Sequence, residues 1–363
     1  MITLSNILEE EYSIPKNIER ISLYNRKNNL LNVINKIHID ILIYNCADKK
    51  EIRMLNKLNK IKVVFCIHSS FFYNIYEGIY RLDRTAYKEY KNSKYVISLI
   101  PFENDYLFKK WGINSVLIEN PSTFEYELVT PSDLSQKNII MIGRGNYLPK
   151  RFELGIKAMS FIVKEIPESK MFILSLPYKN INSSIHNLNL ENNVKIAGFQ
   201  KNPEIYLRNS SLHIFPSLSE AYPMVLGEVK IFGIPTILCG LDYILLAKDG
   251  TVIIYDDNPI TIAKEAIKIL KNDKYRKKLG KEARRSMKNI RNKIIIKKWR
   301  KLLLSVYNGI DKSSYSNLFT KYNNKITEKE ANDLLNNQYK LIKKRIPRLT
   351  GITLKKLISF SLK

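Results

Sequence analysis

Short apolar runs rich in Ile, Val and Leu recur along the chain, and between them apolar residues return every three or four positions. The runs 20–24, 40–44, 62–67, 95–99 and 115–118 have the length and β-branched content of buried strands. The stretches 28–37, 50–58, 75–91 and 103–111 carry the helical period. Alternation of this kind predicts a parallel sheet with helices on both faces. Turn-forming residues then gather from Glu119-Asn120-Pro121-Ser122-Thr123 to Thr130-Pro131-Ser132-Asp133 and mark a linker. The pattern restarts with strands at 138–142, 170–176, 194–197, 212–215, 236–238 and 252–255, and helices over 151–166, 224–232 and 260–271. The expectation is two doubly wound, Rossmann-like α/β domains, 1–130 and 131–305, followed by a basic helical tail, 306–363. Ligands of such domains bind at the carboxyl ends of the strands, so the two are expected to face one another across a cleft.

Length and composition agree with this. At roughly 150 residues per domain, 363 residues make about two domains. Hydrophobic residues at 45% and charged residues at 26% exclude a disordered or fibrous chain. The 60 basic against 34 acidic side chains give a net charge of +26, which favours anionic partners. Specific nucleic-acid binding is not expected. It needs aromatic residues interleaved with the cations, and the basic stretch 274–301 holds only Tyr275 and Trp299, so it reads as a solvated helix face. The first eleven residues lack a basic leader, and no apolar run approaches the ~18 residues of a spanning helix. Cys46, Cys66 and Cys239 are scattered, which suits a reducing compartment. The expected place is cytoplasmic. In the tail 340–363, cations alternate with Leu341, Ile342, Ile346 and Leu349, a pattern that would also lie on an anionic membrane surface. The histidines show no metal-ligand spacing and there is no Asp-x-Asp, so no metal is expected.

Two segments carry candidate chemistry. Gly143-Arg144-Gly145-Asn146-Tyr147-Leu148-Pro149-Lys150-Arg151 follows a strand and opens a helix. Glycine permits close backbone approach, a helix start offers free N–H groups, and Arg144 and Lys150 are placed to converge on one diphosphate. Pro216-Ser217-Leu218-Ser219-Glu220-Ala221-Tyr222-Pro223-Met224-Val225 likewise joins a strand to a helix. That helix is expected to begin near Pro223 with its positive end toward the cleft. Glu220 in the loop and Glu228 in the helix are placed to accept hydrogen bonds from sugar hydroxyls. Glu228 lies among Leu226, Val229 and Ile231, where an unpartnered acid would be costly. Gly233-Ile234-Pro235 then stops the helix.

In this order and at these distances, Gly143-Arg144, Lys150 six residues after the arginine, Pro216-Ser217-x-x-Glu220-x7-Glu228 and Gly233-x-Pro235-x-Ile237 resemble the retaining glycosyltransferases of family 4 (glycosyl transferases group 1), which have the two-domain GT-B fold. The resemblance is specific over 138–257 and looser over 40–120. It implies that Arg144 and Lys150 hold the donor diphosphate, Glu228 the ribose hydroxyls and Glu220 the donor sugar. The backbone near Gly198-Phe199 would meet the nucleobase, and Pro223, Met224 and Val225 would open the helix that faces the phosphates. Phe65-Cys66-Ile67-His68 resembles the family's strand-then-His, which would put His68 near the transferring sugar. The donor implied is a UDP- or GDP-linked sugar and the acceptor a glycan or lipid-linked glycan, with no cofactor. The opening departs from the family: no strand followed by Gly-Gly is present, Gly78 is the first glycine, and 1–4 reads as a second strand. A reduced N-terminal domain is therefore expected. Ala221-Tyr222-Pro223 stands where many members have Gly-Phe-Gly, and Pro223 has no N–H to offer a phosphate. The alternatives are a relative that binds a nucleotide sugar without transferring it and a basic nucleic-acid-binding protein.

Overall fold

The computed structural model describes residues 2–3, 15–19, 21–22, 30–45, 48–69, 72, 87–144, 150–176, 181–310, 327–345, 351 and 353. Cys46, Ser70, Gly78, most of the expected helix 75–91, the loop 145–149 and most of 346–363 lie outside them.

Two small strands, β1 (Ile2–Thr3) and β2 (Ile21–Ser22), pair in parallel. The main N-terminal sheet comprises β3 (Ile41–Tyr44), β4 (Lys62–Ile67), β5 (Tyr95–Ser98) and β6 (Ser115–Leu117), all parallel and in chain order. The C-terminal sheet contains β7 (Ile139–Ile142), β8 (Met171–Leu174), β9 (Val194–Ile196), β10 (Leu212–Phe215), β11 (Thr236–Cys239) and β12 (Thr251–Ile254). Its order is β9-β8-β7-β10-β11-β12, again parallel. This is the doubly wound order, and it reverses between β7 and β10. Every residue of β10 and β11 is buried, as a sheet covered on both faces requires.

The helix Phe152–Glu165 lies very close to β7. A Cβ on Gly155 would come within 2.4 Å of the Met141 sulfur, so glycine sets the helix-to-sheet distance. Its buried face, including Ile156, Met159 and Ile162, shares one core with Ile262, Ala266 and Ile269 of the helix Pro259–Lys271.

The basic region is not a solvated face throughout. Arg276, on the helix Asp273–Ser286, is fully buried and donates to the carbonyls of Leu134, Ile269 and Leu270 and to Asp273. Arg284 reaches the carbonyls of Ile231, Tyr126 and Val129, so it pins the linker. Carbonyls that no backbone N–H reaches take up these charges. The helix Asn292–Tyr307 begins within 131–305 by sequence but packs on the N-terminal sheet. Ile295, Leu302 and Val306 share a core with Val64, Cys66, Ile97 and Val116. Lys298 pairs with the buried Glu119 at 2.5 Å, and Lys62 donates to the carbonyl of Tyr307.

The helix Glu328–Arg345 docks on the C-terminal domain. Leu341 and Ile342, counted above toward a membrane-facing stripe, are buried, with Leu341 against Gly240. Packing into protein satisfies these apolar groups without lipid. Among the described residues no helix is long and apolar enough to cross a membrane.

Candidate functional site

The two charged loops leave neighbouring strands at the point where the strand order turns back. The first follows β7 and the second follows β10, and these strands pair through Leu212 with Ile139 and His213 with Ile140. Chain connections here diverge to opposite sides, which opens a crevice at the carboxyl edge.

Across this crevice Lys150 Nζ donates to Glu220 Oε1 at 2.5 Å, with both side chains about 15% exposed. Ser217 Oγ donates to the same oxygen at 2.7 Å. The Lys150 ammonium also stands 5.4 Å from the centre of the Phe215 ring, a cation–π distance. Beneath it His213 is wholly buried, with Nδ1 3.2 Å from Thr236 Oγ1. Burial and, second, the Lys150 charge push His213 down to about 3, so it stays neutral under the site.

The helix Met224–Ile231 starts where the period placed it, next to Pro223. Pro223 is the cap, with ψ of 103°, and the exposed Met224 is the first helical residue. Val225 is partly buried behind it. Glu228 is buried, and Thr123 Oγ1 of the linker donates to its Oε1 at 2.6 Å. Burial raises the Glu228 pKa and the Thr123 hydrogen bond partly offsets it. Lys230 on the same helix is also fully buried and donates to the carbonyls of Lys248 and Asp249. Burial lowers it to about 7, and Asp249 opposes the shift.

Arg144 is exposed at the end of β7, immediately before the loop 145–149. Gly198 and Phe199 follow β9, two strands out from β7 along the same carboxyl edge. Gly198 has φ of 74°, a left-handed turn suited to glycine, and Phe199 is exposed. His68 directly follows β4 in the other domain, and its Nε2 donates to Asn45 Oδ1 at 3.1 Å. Desolvation by the surrounding protein lowers its pKa, although the ring retains solvent access. The structure thus brings Lys150 and Glu220 into contact, sets Glu228 on the helix behind them, and leaves His68 on the opposite sheet.

The sequence assigned no role to Tyr243, Phe72, Asp257 or Arg345, nor to Arg151 at the end of the first candidate segment. The Glu220 N–H donates to the Tyr243 hydroxyl at 3.1 Å, and the Tyr243 ring lies 4.6 Å from that of Phe72 in the N-terminal domain. An aromatic bridge between domains therefore ends on the Glu220 loop. Arg151 was adjacent to a candidate lysine and had that signal; Tyr243 and Phe72 had none. Among the described residues no group of three His, Cys, Asp or Glu side chains is arranged to hold a metal ion.

Residues 125–286 match the family model for glycosyl transferases group 1. An uncharacterized glycosyltransferase of Methanocaldococcus jannaschii is 26% identical over 235 residues, 57% of this chain and 57% of that protein. The poly(glycerol-phosphate) alpha-glucosyltransferase of Bacillus subtilis is 28% identical over 134 residues, 35% of this chain and 20% of that protein. The chain thus spans little more than half, or less, of the length of these relatives. Among solved structures, Anabaena HepE in complex with UDP and glucose superposes with a TM-score of 0.62 at 15% identity, covering 79% of this chain and 86% of that one. The match to the group 1 model lies in the C-terminal domain, and the solved neighbours show that the chain has the GT-B fold.

Proposed function

We propose that this protein transfers a sugar from a nucleoside-diphosphate donor to a glycan or lipid-linked acceptor, with retention at the anomeric carbon. The observation that carries the reading is the Lys150–Glu220 contact at the switch point of the C-terminal sheet. A cation suited to phosphate and an acid suited to sugar hydroxyls stand side by side there. In this reading Lys150 and Arg144 hold the diphosphate, Glu220 the sugar, and Glu228 the ribose. Breaking the bond to the sugar leaves charge on the diphosphate. Lys150, Arg144 and the positive end of the helix Met224–Ile231 would stabilise that charge as it grows. Two cations make a metal unnecessary for this step, and no cofactor enters it. The acceptor would approach from the N-terminal sheet, where His68 follows β4. Departure and attack on the same face would retain configuration, with the diphosphate oxygen taking the acceptor proton.

HepE was solved with UDP, so UDP is the first nucleotide to try. A thermal-shift panel of UDP, GDP and their sugars, with and without EDTA, tests the proposal. The expected result is a rise in Tm with one base only, unchanged by the chelator. No shift with any nucleotide would refute donor binding.

A further inference from the structure

We propose that Arg345, the last residue of the helix Glu328–Arg345, is a positioning residue for the donor-phosphate site, acting through Asp257 on the turn that carries Lys150. The inference rests on the donor-site reading above and adds to it a residue outside the matched segment 125–286.

Arg345 presents a fork to one carboxylate: Nε to Asp257 Oδ2 at 2.5 Å and Nη2 to Oδ1 at 2.7 Å. Arg151 grips the same carboxylate from the other side, Nη2 to Oδ1 at 2.9 Å and Nη1 to Oδ2 at 2.8 Å. All three side chains are largely buried, at 6%, 16% and 12% exposure for Arg345, Arg151 and Asp257. Bidentate guanidinium–carboxylate pairs fix orientation as well as distance. Two cations on one acid leave a net positive charge beside Lys150, which favours an anion there.

The clamp also holds the second loop. Arg151 Nε donates to the carbonyl of Pro216 at 2.6 Å, and Arg345 Nη1 to that of Leu218 at 3.3 Å. The two guanidiniums therefore bracket Ser217, whose hydroxyl donates to Glu220. Arg151 is the chain neighbour of Lys150. One ionic knot thus ties both halves of the site. Arg151 and Asp257 both adopt left-handed backbones, with φ of 48° and 52°. Side-chain-bearing residues rarely hold such angles unless their surroundings impose them, and here the clamp joins the two strained residues.

Other contacts dock this helix independently. Gln338 donates to the Gly240 carbonyl and to Asp242 Oδ1, while Leu341 and Ile342 are buried. The effect of Arg345 is therefore separable from that of docking.

The test is calorimetric titration with UDP, GDP, ADP and dTDP. Arg345→Ala should weaken the nucleotide that the parent binds by about ten- to a hundredfold, as loss of a supporting contact does. Arg345→Lys, which keeps the charge but not the fork, should recover part of that loss with a parental Tm. Gln338→Ala should stay within about threefold of the parent. In an Asp257→Asn background Arg345→Ala should add little, since both act through one contact. Unchanged affinity in Arg345→Ala overturns the inference, as does an equal loss in Gln338→Ala. If Arg345→Ala does not fold, parental affinity in Arg345→Lys overturns it instead. A parent that binds none of the four nucleotides removes the donor-site reading and this inference together. A binding parent with an indifferent Arg345 removes the inference alone.

Discussion

In the N-terminal sheet the described strands β3 to β6 follow one another in chain order, whereas in the C-terminal sheet the order turns back between β7 and β10. Both sheets are parallel, covered by helices and built from the same Ile- and Val-rich runs. Among the described strands only the second sheet has a reversal, and both charged loops rise from it. At the carboxyl end of β4 the first sheet offers His68 hydrogen-bonded to Asn45. At the carboxyl ends of β7 and β10 the second offers Lys150, Glu220 and Ser217 in mutual contact. A parallel sheet alone makes an edge; a reversal makes a crevice that charged loops can line. On the proposed function, donor binding falls to the C-terminal domain and the N-terminal domain is left to act on transfer.

Lys150→Ala should test this division most severely. It removes a charge-assisted contact to phosphate and leaves Glu220 without its cation, so nucleotide affinity should fall by about 3 kcal/mol, roughly a hundredfold, in calorimetry. Parental affinity in this variant would move the donor site elsewhere.

The next effect concerns acid stability. Burial alone would raise the Asp257 pKa, but hydrogen bonds from Arg345 and Arg151 outweigh it and hold the group at about 2, below the ordinary value of 3.8. A depressed carboxylate stabilises the fold above its unfolded pKa and loses that stabilisation as pH falls through the folded one. About 2 kcal/mol should therefore be lost between roughly pH 5 and pH 2. Asp257→Asn should be less stable at pH 7 and show a flatter acid limb in urea titrations. An acid limb as steep as the parent's would assign the loss to other carboxylates.

His68→Ala sharpens the contrast from the other side. Turnover should fall by at least about tenfold while nucleotide affinity stays parental, as for a group that meets the sugar and not the phosphates. A matching loss of affinity would erase the distinction between the domains. Tyr243→Phe should give the smallest change, about 1 kcal/mol in nucleotide affinity. It deletes the hydroxyl that accepts from the Glu220 N–H and keeps the ring against Phe72. A larger loss would mean that the hydroxyl's second contact, 3.4 Å from Ser219 Oγ, also holds the loop.

Hydrophobic periodicity alone determined the two runs of alternating strands and helices, because burial of a strand or a helix face is written locally in period and length. The Gly143–Lys150 and Pro216–Glu228 segments were legible as candidate loops for the same reason: each is a strand end, a turn and a helix start within one short stretch. The expectation that 274–301 is a solvated face failed at Arg276 and Arg284, whose partners are backbone carbonyls that composition does not reveal. The amphipathic reading of the tail failed at Leu341 and Ile342, because an apolar stripe states that it will be covered and not by what. Tertiary structure alone decided that Thr123 meets Glu228, that Phe72 meets Tyr243, and that Arg151 and Arg345 share Asp257. Ionic and aromatic partners distant along the chain are chosen by strand order and helix docking, and pairwise attraction between charges carries no record of sequence position.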